Sequence, residues 1–254
     1  MDTIKTIKVA RLFPNTLYLH GDKGNCIALE RIAKCYGLTL DVTDIGFKTE
    51  NFNPNEYDLI LLPPGEVSSF EELVKWLRPY KEEFDKYIAS NKPLLATGTT
   101  AGLFAKNIQR RDGSVVEGLG LADYTCTERS AAYGDDIYFT CAFDNAEMEC
   151  IAIQVQMIDI HSNEKPFATL KYGYGNTGKD RNEGVLVNNA VFTTTLGPLL
   201  MLNPWLAEKM ILVAAKNKGL DLENININFD IEKKAFESKK KFILNKKTNL
   251  TNCL

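Results

Sequence analysis

The sequence predicts an α/β fold: a mostly parallel central sheet with helices on both faces and an antiparallel extension. Two short apolar runs, DLILL at 58–62 and LLAT at 94–97, suit strands buried on both sides of a parallel sheet. Amphipathic helical stretches alternate with strand-like stretches through the first hundred residues, the pattern of an open doubly wound sheet. After Gly113 the pattern turns β-rich. With 254 residues, 44% of them apolar, the chain can bury a core without disulfide or metal support.

Ile4 to Leu12, with its IKVARL run, reads as the first strand, followed by a loop from Phe13 to Lys23. The stretch NCIALERIAKCYG has helical apolar spacing, with Gly37 as its stop. LTLDVTDI then reads as a second strand, and DLILL as a third, halted by Pro63 and Pro64. One helix is expected from about Ser68 to Ser90. Pro93 leads into LLAT, and the small-residue turn GTTAG (98–102) is expected to open another helix.

The β-rich part consists of DDIYFTCAF, CIAIQVQMIDI, FATLKYGYG and GVLVNNAVFTTTL, separated by charged or Gly/Asn turns. Asn203-Pro204 starts a helix, PWLAEKMILVAAKNKG, with proline at its first position and Gly219 past its end. The chain therefore divides into a main domain, 1–219, and a Lys/Asn-rich tail, 220–254, with one further helix. In that tail Phe229, Ile231, Phe236, Phe242, Ile243 and Leu244 are expected to form one apolar face. Lys233, Lys234, Lys239, Lys240, Lys241, Lys246 and Lys247 read as a solvated face.

Six cysteines and two histidines narrow the chemistry. Cys26, Cys35, Cys126, Cys141, Cys150 and Cys253 form no C-x-x-C pair, so they are expected to be reduced and mostly small core residues. His20 and His161 are too far apart in sequence to suggest an imidazole zinc site, and no metal or cofactor is expected. A net charge of −3 gives no sign of nucleic-acid binding over the whole surface. No apolar run approaches the roughly 18 residues of a membrane span, and the start lacks a signal-peptide pattern, so the expected location is cytoplasmic.

Four strings carry more: LYLHGDKGN (17–25), DGSVVEGLGLADY (112–124), KYGYGNTGKDRNEG (171–184) and TTTLGPLLMLNPWLAEKM (193–210). On first principles the first is a glycine-bracketed turn, with Gly24-Asn25 placed to cap the next helix. The third is a Gly/Asn hairpin turn. Together and in this order they resemble the class I glutamine amidotransferases of the cobyric acid synthase type. Within that family they are most like the amidotransferase subunits that work with a Mur-ligase-like partner on lipid II. The resemblance rests on His20-Gly21-Asp22-Lys23-Gly24-Asn25, on Glu117 to Asp123 and on Gly173 to Asn176, and runs from about Leu12 to Gly219. It implies the flavodoxin-like version of the predicted sheet.

It also implies what an active member needs. Glutamine hydrolysis through a thioester requires a thiolate on a strained strand-to-helix elbow, a histidine to shuttle its proton, and N–H donors for the oxyanion. In the family the cysteine lies five residues past the proline that leads the strand, and that count from Pro93 reaches Gly98. The family's histidine falls between Leu196 and Gly197, where this chain has none. No catalytic residue is therefore expected. Gly65, Gly98 and Thr99 mark the vestigial nucleophile and oxyanion region, and Leu196 and Gly197 the vestigial base region.

Thr99 or Thr100 as a substitute nucleophile would need a base from elsewhere. Ala131-Ala132-Tyr133 stands where a glutamine-clamping arginine is expected, with Arg129 as a shifted substitute. His161 matches a family position near the pocket that is not the proton shuttle, and Cys126 reads as structural. The resemblance thus implies an amidotransferase-like subunit without glutaminase activity that partners a Mur-ligase-like, ATP-dependent enzyme. The alternatives are an active amidotransferase with a relocated site, and a small-molecule module using the vacated pocket.

Overall fold

The structure is a computed structural model that describes residues 5–223 and 225–250. Cys253 and the start of the expected first strand at Ile4 lie outside the described residues. One sheet is built from β1 (Thr6–Leu12), β2 (Thr39–Ile45), β3 (Leu59–Leu62) and β4 (Leu94–Thr97). The chain then enters a second sheet through β5 (Asn107–Gln109), β6 (Val115–Glu117), β7 (Tyr124–Phe143), β8 (Ala146–Ser162), β9 (Ala168–Tyr172) and β10 (Asn182–Glu183). It returns to the first sheet with β11 (Val185–Val187) and β12 (Ala190–Thr193), and crosses back with β13 (Thr195–Leu196).

The first sheet has the order β11-β12-β4-β3-β1-β2, parallel except for the antiparallel edge strand β11. Counting only the parallel strands, this is the 2-1-3-4-5 order of a flavodoxin-like sheet. Side chains alternate between its faces, as extended backbone requires. Ile7, Val9, Leu59, Leu61 and Leu95 enter one core with α1 (Lys23–Cys35) and α5 (Pro204–Asn217). Ala10, Leu12, Ile60, Leu62, Leu94 and Ala96 enter the other with α2 (Phe70–Leu77) and α3 (Lys81–Ala89). The predicted fold class holds: a mostly parallel sheet with helices on both faces.

The antiparallel extension is a sheet of its own rather than a widening of the first. Its backbone is the 20-residue β7 and the 17-residue β8, joined at Asp144 and Asn145, both left-handed. Two consecutive left-handed residues match the twist of a tight hairpin. Both cores run into this hairpin, through Phe139 and Cys150 on one side and Tyr124 and Ile158 on the other.

Several expectations change in detail. The helix expected over 68–90 is broken into α2 and α3 by a 3-10 turn at Arg78–Tyr80, because Pro79 supplies no N–H and crowds the preceding turn. GTTAG opens a 3-10 helix, Gly98–Phe104, and no longer helix. Asn25 does not cap α1, which begins at Lys23; it lies inside the helix and is buried.

The tail helix forms as α6 (Asp230–Leu250) after the short α4 (Leu199–Leu202) and α5. Only Phe229, Phe236 and Ile243 of its expected apolar face are buried, at seven-residue spacing, while Ile231, Phe242 and Leu244 are exposed. Phe236 and Ile243 pack on Tyr138, Ile151 and Tyr172 of the second sheet. Three of its lysines are also not simply solvated: Lys239 pairs with Asp136, Lys240 with Glu149, and Lys246 with Asp135 and Asp136. No helix of the described residues is long and apolar enough to cross a membrane.

Candidate functional site

The carboxyl ends of β1, β3 and β4 face the start of α1, the place where ligands bind in sheets of this order. The loop after β1 enters it through a turn at Leu19–Gly21 with His20 left-handed and exposed. Asp22 follows, buried beneath it. Its Oδ1 accepts hydrogen bonds from Asn25 Nδ2 at 2.7 Å and from Thr97 Oγ1 at 3.1 Å. Burial pushes the Asp22 carboxyl up to about 6, against the pull of those bonds and of Arg11. Asn25 Oδ1 in turn accepts the Leu200 N–H at 2.8 Å. The motif residues thereby fasten α1 to the end of β4 and to α4. Gly24 lets α1 come this close, since a Cβ there would collide with the Pro198 ring.

Gly98 stands at the turn from β4 into the 3-10 helix, with φ of +64°. This is the strained elbow expected for a nucleophile, held by a residue with no side chain. A Cβ at this position would stand 2.8 Å from Leu196 Cδ2 and 2.8 Å from Pro64 Cβ. The direction in which a thiol would project is filled by two apolar side chains. Beside it the Thr99 hydroxyl donates to the Gly65 carbonyl, and the Thr100 hydroxyl donates to the Thr97 carbonyl at 2.8 Å. Both hydroxyls are spent on backbone, which leaves neither poised for attack.

Leu196 reaches the elbow from β13, which pairs with Gln154 and Ile153 of β8. The approach to it, Thr193 to Thr195, is organised by Glu183, a fully buried carboxyl. Glu183 accepts from Thr193 Oγ1 at 2.8 Å, from the Thr194 N–H at 2.9 Å and from Gln154 Nε2 at 3.3 Å. Burial raises its pKa, opposed by the bonds from Thr193 and Thr194. Sequence reading missed this residue; its only signal was an acid standing directly before Gly184 and an apolar strand.

The structure thus brings Gly65, Gly98, Thr99 and Leu196 together, with Gly197 adjoining. It does not bring His161 or Arg129 there. Ile153, the partner of Leu196, precedes His161 by eight positions on β8, about 26 Å of strand at ~3.3 Å per residue. His161 is exposed, with Nε2 3.1 Å from Thr127 Oγ1. It lines a separate polar cleft of 530 Å³ with Lys106, Asp123, Asn176 and Asp180. Arg129 is committed elsewhere: it pairs with Asp159 and lies 3.6 Å from the centre of the Tyr133 ring.

Among the described residues the thiols offer no substitute. Cys26, Cys126, Cys141 and Cys150 are buried, and Cys35 is exposed at the far end of α1 from the elbow. Burial pushes the Cys26 thiol up to about 11 and the Cys126 thiol higher still, so neither ionises near neutral pH. Among the described residues no group of three or more His, Cys, Asp or Glu side chains could hold a metal ion.

No family model matches the chain. Among curated proteins it is 27% identical over 220 residues to the GatD subunit of lipid II isoglutaminyl synthase (glutamine-hydrolyzing) from Streptococcus pneumoniae, covering 85% of this chain and 84% of that protein. It is 26% identical over 235 residues to the GatD subunit from Staphylococcus aureus, covering 90% and 93%. Among solved structures, a glutamine amidotransferase aligns with TM-score 0.47 and 16% identity over 82% of this chain and 98% of that one. A ThuA-like protein from Bacteroides uniformis aligns with TM-score 0.41 and 8% identity over 85% and 91%. By sequence, over most of its length, the chain is a homologue of the GatD subunits of glutamine-hydrolyzing lipid II isoglutaminyl synthases.

Proposed function

We propose that the chain is a glutamine-amidotransferase-like subunit that no longer hydrolyses glutamine and that serves as a binding or regulatory partner of a Mur-ligase-like, ATP-dependent enzyme. One observation carries the loss of chemistry: the elbow residue is Gly98, and Leu196 and Pro64 occupy the space its side chain would need. Thioester chemistry needs a thiolate within hydrogen-bond reach of a base. No histidine stands between Leu196 and Gly197, and burial pushes the Cys26 and Cys126 thiols up, away from the thiolate form.

What supports a subunit role is the preserved frame. Asp22, Asn25 and Thr97 still clamp the elbow, and the homologues are named as subunits of a synthase. The space at Gly65, Gly98 and Thr99 is a poor small-molecule pocket, because Leu17, Pro64 and Leu196 crowd it.

The test is ammonia release from glutamine by the purified chain, alone and with a Mur-ligase-like subunit, before and after treatment with iodoacetamide. The expected result is no release that alkylation abolishes. Thiol-dependent release from either sample would overturn the reading and favour a relocated site.

A further inference from the structure

Helix α6 carries a second apolar stripe besides the one it buries. Phe236 and Ile243 pack against the second sheet, but Ile231, Ala235, Ser238 and Phe242 are all exposed, Ile231 at 80% and Phe242 at 52%. Their spacing of four, three and four residues keeps them along one side of the helix, over about 16 Å. The stripe continues into an apolar groove of 380 Å³, which Ala235 and Phe236 share with Ile151, Ile153, Met201 and Leu202. Ile153 on β8 and Met201 on α4 are themselves 41% and 44% exposed. An exposed apolar surface that runs from a helix stripe into a groove marks an interaction site.

We infer that this face is an interface between two copies of the chain, with their α6 helices antiparallel about a two-fold axis. The stripe reads alike from either end: a large residue, two small ones and a large one, at palindromic spacing. An axis between Ala235 and Ser238 sets Ile231 level with Phe242 of the second copy, and Ala235 level with Ser238 of the second copy. The small central residues let the helices approach closely while the large ones close the ends. The groove opens on the same side, through Ala235, so Ile153 and Met201 fall inside the contact. That widens a face whose helix seam alone is small, since a stable interface buries roughly 1,000 Å² or more. Charge also fits a second copy. On one flank of the stripe Asp230 and Glu237 stand beside Lys234 and Lys241, two of each sign. On the other flank Glu232 is paired with Arg31, Lys239 with Asp136, and Lys246 with Asp135 and Asp136. Two such faces meet without net repulsion, and a strongly acidic or basic partner finds no complementary field. In the antiparallel arrangement Lys234 stands within two residues of the level of Glu237 of the second copy, and Lys241 within two of Asp230 of the second copy. The inference is independent of the proposed loss of glutaminase activity, since α6 contributes no residue to the elbow.

The experiment is sedimentation velocity of the full chain across a concentration series, with light scattering for the mass. The expected result is a concentration-dependent dimer, twice the 28.5 kDa of one chain, populated by about 0.1 mM. Ala235→Glu puts an unpaired charge from each copy into the seam and should weaken the dimer by about a hundredfold or more. Its circular dichroism spectrum should be unchanged, because residue 235 is exposed in the single chain. Lys233→Glu, on the opposite side of the helix, should leave the dimer as it is. Orientation is read by oxidative cross-linking, with the parent chain's own cysteines as background. An equimolar mixture of Ala235→Cys and Ser238→Cys chains should give the mixed covalent dimer in preference to either like dimer. A single-chain mass throughout the series, a dimer indifferent to Ala235→Glu, or like dimers favoured over the mixed one would overturn the inference. A single chain that instead binds a Mur-ligase-like subunit, in a complex that Ala235→Glu breaks, would assign the face to that subunit and overturn it as well.

Discussion

Placing a side chain at residue 98 is the most direct probe of the elbow. Gly98→Ala puts an L-residue at φ +64°, which costs about 1–2 kcal/mol. It also places a methyl 2.8 Å from both Leu196 Cδ2 and Pro64 Cβ, an overpacking worth about 1–3 kcal/mol. The expected loss is therefore about 2–5 kcal/mol, read as a shift in the urea midpoint followed by tryptophan fluorescence. The steric share can be isolated. Leu196→Ala alone should cost about 2–5 kcal/mol, since the side chain is buried. Combined with Gly98→Ala it should cost less than the sum, by about 1 kcal/mol or more, because the cavity receives the methyl. Gly98→Cys should behave like the alanine variant and gain no glutaminase activity. A neutral Gly98→Ala, or strict additivity in the cycle, would refute the claim that Leu196 and Pro64 plug the elbow.

Three further outcomes are expected. Asp22, raised to about 6 by burial, binds a proton in the folded chain that the unfolded chain has released between about pH 4 and 6, so stability should fall as pH rises through that window. Asp22→Asn keeps an Oδ1 for both Asn25 and Thr97 and should flatten that slope in urea titrations at several pH values, leaving the variant more stable than the parent at neutral pH. Asn203 is fully buried, donates to the carbonyls of Ile151 and Leu199, and accepts the Ile151 N–H. Asn203→Ala strands these groups and should cost about 2–4 kcal/mol by denaturant unfolding. Phe236 packs edge-on to Trp205 at 5.2 Å and against Tyr138. Phe236→Ala should release α6 before the rest of the chain unfolds, seen as faster amide exchange over 230–246 with the exchange of β3 and β4 unchanged.

What the sequence revealed depends on how local the cause was. DLILL and LLAT were legible because a strand buried on both faces must be apolar at every position, whatever surrounds it. Pro204 and Gly219 framed α5 for reasons contained in their own backbones. The interruption at Pro79 was equally local and went unread because the apolar spacing ran on across it. The face of α6 could not be read, since Phe229, Phe236 and Ile243 are selected by the shape of the second sheet and not by helical spacing, which Ile231 and Phe242 satisfy as well.

At the site, the absence of a thiol at Gly98 and of a histidine before Gly197 was visible in the letters. The filling of the vacated space was not, because Pro64, Gly98 and Leu196 meet only through tertiary packing. The same is true of Asp22, whose bond to Thr97 spans 75 positions, and of the Glu183 cluster, which joins three strands.

The left-handed turn at Gly98 has the backbone shape of a reactive elbow with no reactive atom on it, and Leu196 and Pro64 fill the space beside it. A cysteine arriving at 98 by a single codon change would meet Leu196 and Pro64 before it met any substrate, with no histidine between Leu196 and Gly197 to serve it. On the proposed reading, regaining the chemistry would need a smaller residue at 196, a histidine inserted before Gly197 and the cysteine itself, with the first steps giving no activity for selection to favour. On that reading the site is dismantled rather than switched off, with packing across the route back.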